Sequence, residues 1–217
     1  LNYTQTVTSP LRIGVLASHE GTTLQAILDA CAAGEITARV VAVISNNSDS
    51  GALRRARAAG ADAVHLSSKT HPEPGALDAA IIDALTSREV DVVMLAGYMK
   101  KLEPGLLERY RGRILNTHPA LLPKFGGHGM YGMRVHEAVL RAGETESGPS
   151  VHLVDAEYDT GRVLAQAQVP VEDGDTPETL AARVQQCERG LVVRVLGQIA
   201  QGQFALEGLA PRHQPHD

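Results

Sequence analysis

The amino-acid sequence predicts an α/β fold: a doubly wound, mostly parallel sheet flanked by helices, with an antiparallel strand pair near the C-terminal part. Three observations carry this. Short apolar runs alternate with stretches of helical spacing through the first half of the 217 residues, the order that builds parallel strands joined by crossover helices. Those runs are near-continuous in Val, Ile and Leu, as strands covered on both faces require. Later, two apolar stretches are joined through Glu157-Tyr158-Asp159-Thr160-Gly161, a turn-rich link suited to an antiparallel pair.

In chain order, residues 11–17 give the first strand, and a Gly-containing turn leads to a helix over 23–33, where Leu24, Ile27, Leu28 and Cys31 recur at helical spacing. A strand over 39–45, an Ala/Arg-rich helix over 51–59, a short strand over 63–66 and a helix over 76–85 follow. Residues 90–96 and 112–116 read as two more buried strands. Beyond Pro123 the texture changes. Gly126, Gly127, Gly129 and Gly132 mark 125–132 as a mobile loop, 135–142 as a short helix, and 150–155 and 163–171 as the two late strands. Thr176-Pro177-Glu178 opens a long helix to about residue 201, with a capping hydroxyl, a proline at the first position and an early acid. The absence of a linker predicts a single domain over 11–207, with residues 1–10 and 208–217 as flexible tails.

Composition narrows the function classes. With 43% hydrophobic and 21% charged residues the chain can bury a full core, which excludes a disordered protein. No run approaches ~18 apolar residues and the polar start lacks the apolar centre of a signal peptide, so a cytoplasmic protein without membrane contact is expected. A net charge of −5 argues against nucleic acid as a partner. An anionic ligand must then be held locally, by helix-start amides or by Lys100, Lys101, Arg109, Arg111, Arg113 and Lys124, although a cluster of that kind is more often a solvated surface. Cys31 and Cys187 have neither metal-ligand nor redox spacing, the nine histidines form no zinc pattern, and no metal is expected. No Gly-x-Ser-x-Gly elbow is present, which leaves a covalent acyl-enzyme unsupported.

Ligands of open α/β sheets bind beyond the carboxyl ends of the strands, and three such ends carry informative residues. Ser18-His19-Glu20-Gly21-Thr22-Thr23 joins the first strand to the first helix; its free amides and hydroxyls suit a phosphate, or simply cap the helix. Ala96-Gly97-Tyr98-Met99-Lys100-Lys101-Leu102 offers close backbone approach, adaptable apolar contact and cations, or is a plain loop. Asn116-Thr117-His118 sets a carboxamide and an imidazole on one side of an extended strand, held stiff by Pro119 and Pro123. That pair supplies what transfer at a carbonyl needs, an oxyanion donor beside a proton-transfer group. Read alone, it is also a strand closing in a turn with a structural histidine. Asp159, at the turn of the 157–161 link, is the carboxylate that would complete the site and raise the imidazole pKa, unless it only forms the turn.

Taken together, Gly21-Thr22-Thr23-Leu24-Gln25-Ala26-Ile27, Leu95-Ala96-Gly97-Tyr98-Met99, Asn116 through Pro123, and Gly148-Pro149-Ser150-Val151-His152 through Asp159-Thr160-Gly161 resemble the folate-dependent formyltransferases, and among them the phosphoribosylglycinamide formyltransferase family. The resemblance implies transfer of a formyl group from 10-formyltetrahydrofolate, the co-substrate, to the amine of a glycinamide ribonucleotide, in a monomer or homodimer whose partners are small molecules. Asn116 would hydrogen-bond the formyl oxygen, His118 would donate the proton, and Asp159 would raise the histidine pKa. Gly21, Thr22, Thr23, Gly97 and Glu188 would hold the ribonucleotide. Met99, Lys100, Lys101, Leu102, Asn116, Val154 and Asp155 would line the folate pocket, and the 125–132 loop would fold over substrate.

This chain departs from the family pattern at His19-Glu20, where a glycine is usual, at Thr23, where an amide side chain is usual, and near Glu73-Pro74-Gly75, where Lys69 would stand in for a basic residue. Other formyl-group enzymes, the formyltetrahydrofolate hydrolases and sugar-nucleotide formyltransferases, share the Asn-x-His and distant Asp. The hydrolases usually carry an added amino-terminal domain, whereas residues 1–10 alone precede the first strand here. A catalytically silent folate or nucleotide-binding regulator would need no such trio.

Overall fold

From residue 9 to residue 209, the stretch that the computed structural model describes, strands and helices alternate as far as the fifth strand. The order is β1 (Leu11–Leu16), α1 (Thr22–Ala32), β2 (Ala38–Ser45), α2 (Gly51–Ala58), β3 (Asp62–His65), α3 (Ala76–Thr86), β4 (Val92–Leu95), α4 (Pro104–Arg109) and β5 (Ile114–His118). Then come α5 (Met133–Arg141), β6 (Glu146–Ser147), β7 (Ser150–Leu153), β8 (Val163–Gln166), β9 (Val169–Pro170) and α6 (Pro177–Ala200). Apart from residues 9–10 and 208–209, the expected tails lie outside the described residues.

Seven strands form one sheet in the order β3-β2-β1-β4-β5-β7-β8, and β6 and β9 form a small antiparallel pair. The first five are parallel; β7 runs antiparallel to both β5 and β8, as the turn-rich link requires. Side-chain alternation sends Val15, Met94 and Leu115 into a core packed by α1, α2 and α6, and Leu16, Leu95 and Ile114 into a second core packed by α3 and α4. Both faces of the sheet are therefore covered, which is why its strands read as unbroken apolar runs. Burying each Leu or Ile contributes roughly 1.5–3 kcal/mol.

Two elements differ from expectation. α4 has six residues, too few to show a helical period; Pro104 starts it and the Leu106 amide donates to Asp78 Oδ1 at 3.1 Å. The apolar run at 163–171 is split in two: β8 stays in the main sheet and β9 pairs with β6. The break lies at Ala167, whose carbonyl passes so close to Gly148 that a Cβ there would overlap it.

The chain leaves β1 and β4 in opposite directions across the sheet, so the crevice between their carboxyl ends is the topological switch point. Ser18 closes its floor by donating to Asn46 Oδ1 at 2.6 Å and accepting from the Met99 amide at 2.8 Å. After β5, the Pro119 to Pro123 segment is clamped to the antiparallel strands. Ser150 Oγ donates to Ala120 O at 2.6 Å and accepts from the Leu122 amide at 3.0 Å, and Gln166 donates to Leu122 O at 2.9 Å. The Leu122–Pro123 bond within it is cis.

Candidate active site

The end of β5 and the link after β7 meet here. Asp159 Oδ2 lies 3.4 Å from His118 Nδ1, and the pair is buried, with 4% and 10% of their side-chain surfaces exposed. The opposite ring nitrogen, His118 Nε2, donates to the Phe125 carbonyl at 2.6 Å. A carbonyl only accepts, so Nε2 carries a proton and Nδ1 is the nitrogen left for chemistry. The Gly127 amide donates to Asp159 Oδ2 at 2.9 Å. The first turn of the glycine-rich loop thus orients both members of the pair.

A second imidazole completes the cluster. Asn116 Nδ2 donates to His152 Nε2 at 3.2 Å, while His152 Nδ1 donates to Leu153 O at 2.9 Å. His152 Nε2 also stands 3.5 Å from Asp159 Oδ1. The bond to His152 fixes the Asn116 carboxamide and leaves its second N–H for a ligand oxygen. His152 lay within the sequence motif at 148–152, but its position on β7 opposite Asn116 depends on an antiparallel register that spacing alone does not fix.

Asp159 does pull the His118 pKa upward, but that pull does not prevail. Burial drives the His118 pKa below its ordinary 6.5, and this outweighs the upward pull of Asp159 and of the Phe125 carbonyl; His152 adds to the depression. At Asp159 burial works upward, but the neighbouring His152 and the Gly127 amide, together with His118, carry the carboxyl below 3.8. The pair rests as a carboxylate beside a neutral imidazole.

At the other end of the crevice, Gly21 is the N-cap of α1 with φ 70° and no side-chain cap, so the amides that open the helix lack a side-chain partner. Glu20 does not face them: its Oε2 lies 3.6 Å from Arg54 of α2, and Arg55 Nε donates to the Glu20 carbonyl at 2.8 Å. That disposes of the repulsion a glutamate would bring to a phosphate there. Thr23 Oγ1 donates to Glu188 Oε1 at 2.8 Å, which brings the middle of α6 to the same spot. A Cβ on Gly21 would lie 2.9 Å from Ala52 Cα at a φ that L residues resist. Gly21→Ala is expected to lower stability by about 1–2 kcal/mol, read as an earlier denaturant midpoint; an unchanged midpoint would mean that the loop is not held as described.

A cleft of about 490 Å³ opens on the α3 side, lined by Lys100, Lys101, Leu102, Tyr98, Lys69 and Asn46 among others. Met99 stays 49% exposed outside that lining and Gly97 is exposed at the turn, φ 74°. Val154 packs against the α3/α4 core. Asp155 is exposed, and its carboxylate shapes the link by accepting from the Glu157 amide at 3.1 Å and Thr160 Oγ1 at 2.8 Å. The basic cluster is dispersed: Arg111 pairs with Glu108, Lys124 with Glu144, and Arg109 and Arg113 lie on the Tyr110 ring. Among the described residues no group of His, Cys, Asp or Glu is arranged to hold a metal ion, and no helix is long and apolar enough to cross a membrane.

The formyl transferase family model matches residues 11–196. The chain is 42% identical to the chloroplastic phosphoribosylglycinamide formyltransferase of Arabidopsis thaliana over 88% of its own length and 65% of that protein's. It thus spans just under two thirds of that longer plant relative. It is 40% identical to the phosphoribosylglycinamide formyltransferase of Escherichia coli strain K12 over 90% of each chain. Among solved structures, glycinamide ribonucleotide transformylase 1 from Symbiobacterium toebii superposes with a TM-score of 0.85 at 41% identity, covering 93% of this chain and 92% of that one.

Proposed function

Since the chain belongs to the formyl transferase family, we propose that it transfers the formyl group of 10-formyltetrahydrofolate to the amine of a glycinamide ribonucleotide, a step of purine synthesis. The observation that carries this reading is the meeting of Asn116, His118 and Asp159 at the end of β5, beside an anion loop whose Thr23 bonds Glu188. Relatives at about this identity bear the same activity in their names.

In this reading Gly21, Thr22 and Thr23 take the phosphate, Gly97 and Glu188 the ribose side, and the cleft of Lys100, Lys101 and Leu102 takes the folate. Met99, Val154 and Asp155 border it, Asp155 through the shape of the link. The amine nitrogen attacks the formyl carbon while Asn116 donates to the oxygen as it becomes an oxyanion. The neutral His118 accepts the amine proton at Nδ1, and the imidazolium formed is stabilised by the Asp159 carboxylate. Collapse of the adduct breaks the carbon–N10 bond, and the same proton goes to N10, directly or through water. His118 is then neutral again, and formylglycinamide ribonucleotide and tetrahydrofolate leave. No covalent enzyme intermediate is required.

The test is tetrahydrofolate formation from 10-formyltetrahydrofolate, with and without the ribonucleotide. Turnover that requires the ribonucleotide is the expected result. Turnover indifferent to it would instead identify a hydrolase, and folate binding without turnover a silent regulator.

A further inference from the structure

Tyr158 and Asp159 are neighbours on the link between β7 and β8, and they face opposite ways. Asp159 is turned inward, onto His118 and the Gly127 amide, whereas Tyr158 stays 46% exposed. The Tyr158 ring meets the His128 ring in a T-shaped contact, with centroids 6.1 Å apart and planes at 66°. Lys101 Nζ stands 5.6 Å from the centroid of the same tyrosine ring. Three segments distant in sequence therefore converge on one side chain: the stretch after β4 that lines the α3-side cleft, the glycine-rich loop, and the link that carries Asp159. Consecutive residues of the link hold consecutive residues of the loop, Asp159 at Gly127 and Tyr158 at His128. The glycines that flank His128 have φ of 93° and 86°, so the backbone there has a freedom that contacts from outside must restrict. An ammonium near an aromatic face and an edge-to-face ring pair both attract beyond the area they bury.

Building on the reading of the site as a ribonucleotide formyltransferase, we propose that Tyr158 is a positioning residue, a latch that pins the glycine-rich loop and Lys101 across the mouth of the folate cleft and keeps water from the formyl carbon. Water that entered would compete with the amine. It would add to the formyl carbon, the carbon–N10 bond would break, N10 would take one proton of the water, and formate would leave with the other given to solvent. Asp159 thus serves the proton transfer on the inner face of the link, and Tyr158 serves closure on the outer face.

Tyr158→Ala removes the ring and Tyr158→Phe keeps it. Tyr158→Ala is expected to raise the folate KM by about five- to tenfold, the loss of the two ring contacts, and to release free formate alongside formylated ribonucleotide. The ribonucleotide KM, set at the anion loop, stays unchanged. Tyr158→Phe restores both the folate KM and the one-to-one yield of formylated ribonucleotide and tetrahydrofolate. In a Lys101→Met background the effect of Tyr158→Ala on the folate KM is smaller, because the partners share one contact. The acidic limb of kcat/KM stays where it is in the wild type, which separates a lost latch from a displaced Asp159. Wild-type folate KM and yield in Tyr158→Ala overturn the proposal alone. So do a Tyr158→Phe protein as impaired as Tyr158→Ala, full additivity with Lys101→Met, or a moved acidic limb. A wild-type protein whose turnover ignores the ribonucleotide overturns the functional reading, and this proposal with it.

Discussion

Replacing His118 by alanine is expected to lower kcat by about 10²–10⁴-fold, the range for removing a positioned acid–base group, while ribonucleotide binding survives. The asymmetry follows from the fold. His118 faces Asp159 and Phe125, whereas the anion loop and Glu188 are held by contacts that do not include it. Removing the ring strands the proton of the attacking amine in a water-poor site and leaves no carrier to N10. Single-turnover rates paired with calorimetry of the ribonucleotide check both halves. Near-wild-type turnover would remove His118 from the chemistry, and lost ribonucleotide binding would mean that the two ends of the crevice are not independent.

The second large effect is expected from Asp159→Asn, a fall in kcat of about 10²-fold or more, accompanied by a displaced pH profile. The sign follows from the charges. Burial holds the His118 pKa below 6.5 and Asp159 pulls it upward. Activity needs an open Nδ1, so the rate falls on the acid side as His118 takes up a proton from solvent. Removing the carboxylate lowers the His118 pKa further, and the acidic limb of kcat/KM moves to lower pH. His152 and His136, the other imidazoles whose charge acts on His118 or responds to it, are present in both proteins and do not account for a difference. A lower plateau with an unmoved acidic limb would leave Asp159 a structural role only. The same depressed pKa makes the fold acid-sensitive. Its contribution to stability is full above the unfolded value near 6.5 and is lost as pH falls through the folded value, because the unfolded chain binds the proton more tightly.

Much of this was legible in the sequence because it depends on local periods. The parallel strands are buried on both faces, so Val15, Val93 and Leu115 sit in unbroken apolar runs, and Thr176-Pro177 marks the start of α6 chemically. Asn116 and His118 share a face because a strand repeats every two residues. What was not legible depends on contacts between distant segments. The direction of Glu20 is set by Arg54 and Arg55 of another helix, His152 is placed by the β5–β7 register, and the Phe125 carbonyl reaches His118 only through a backbone at φ 55°. The net direction of the His118 pKa was not legible for a related reason. An aspartate nearby in sequence logic raises an imidazole pKa, but the depth of burial that outweighs it is a property of the packed sheet. α4 escaped because one and a half turns show no period.

The most direct measurement follows the formyl carbon itself. With 10-formyltetrahydrofolate labelled at that carbon and glycinamide ribonucleotide present, the label is predicted to appear on the ribonucleotide amine in step with tetrahydrofolate formation, and this should fail in His118→Ala. Label released as free formate at the same rate, with or without the ribonucleotide, would contradict the account.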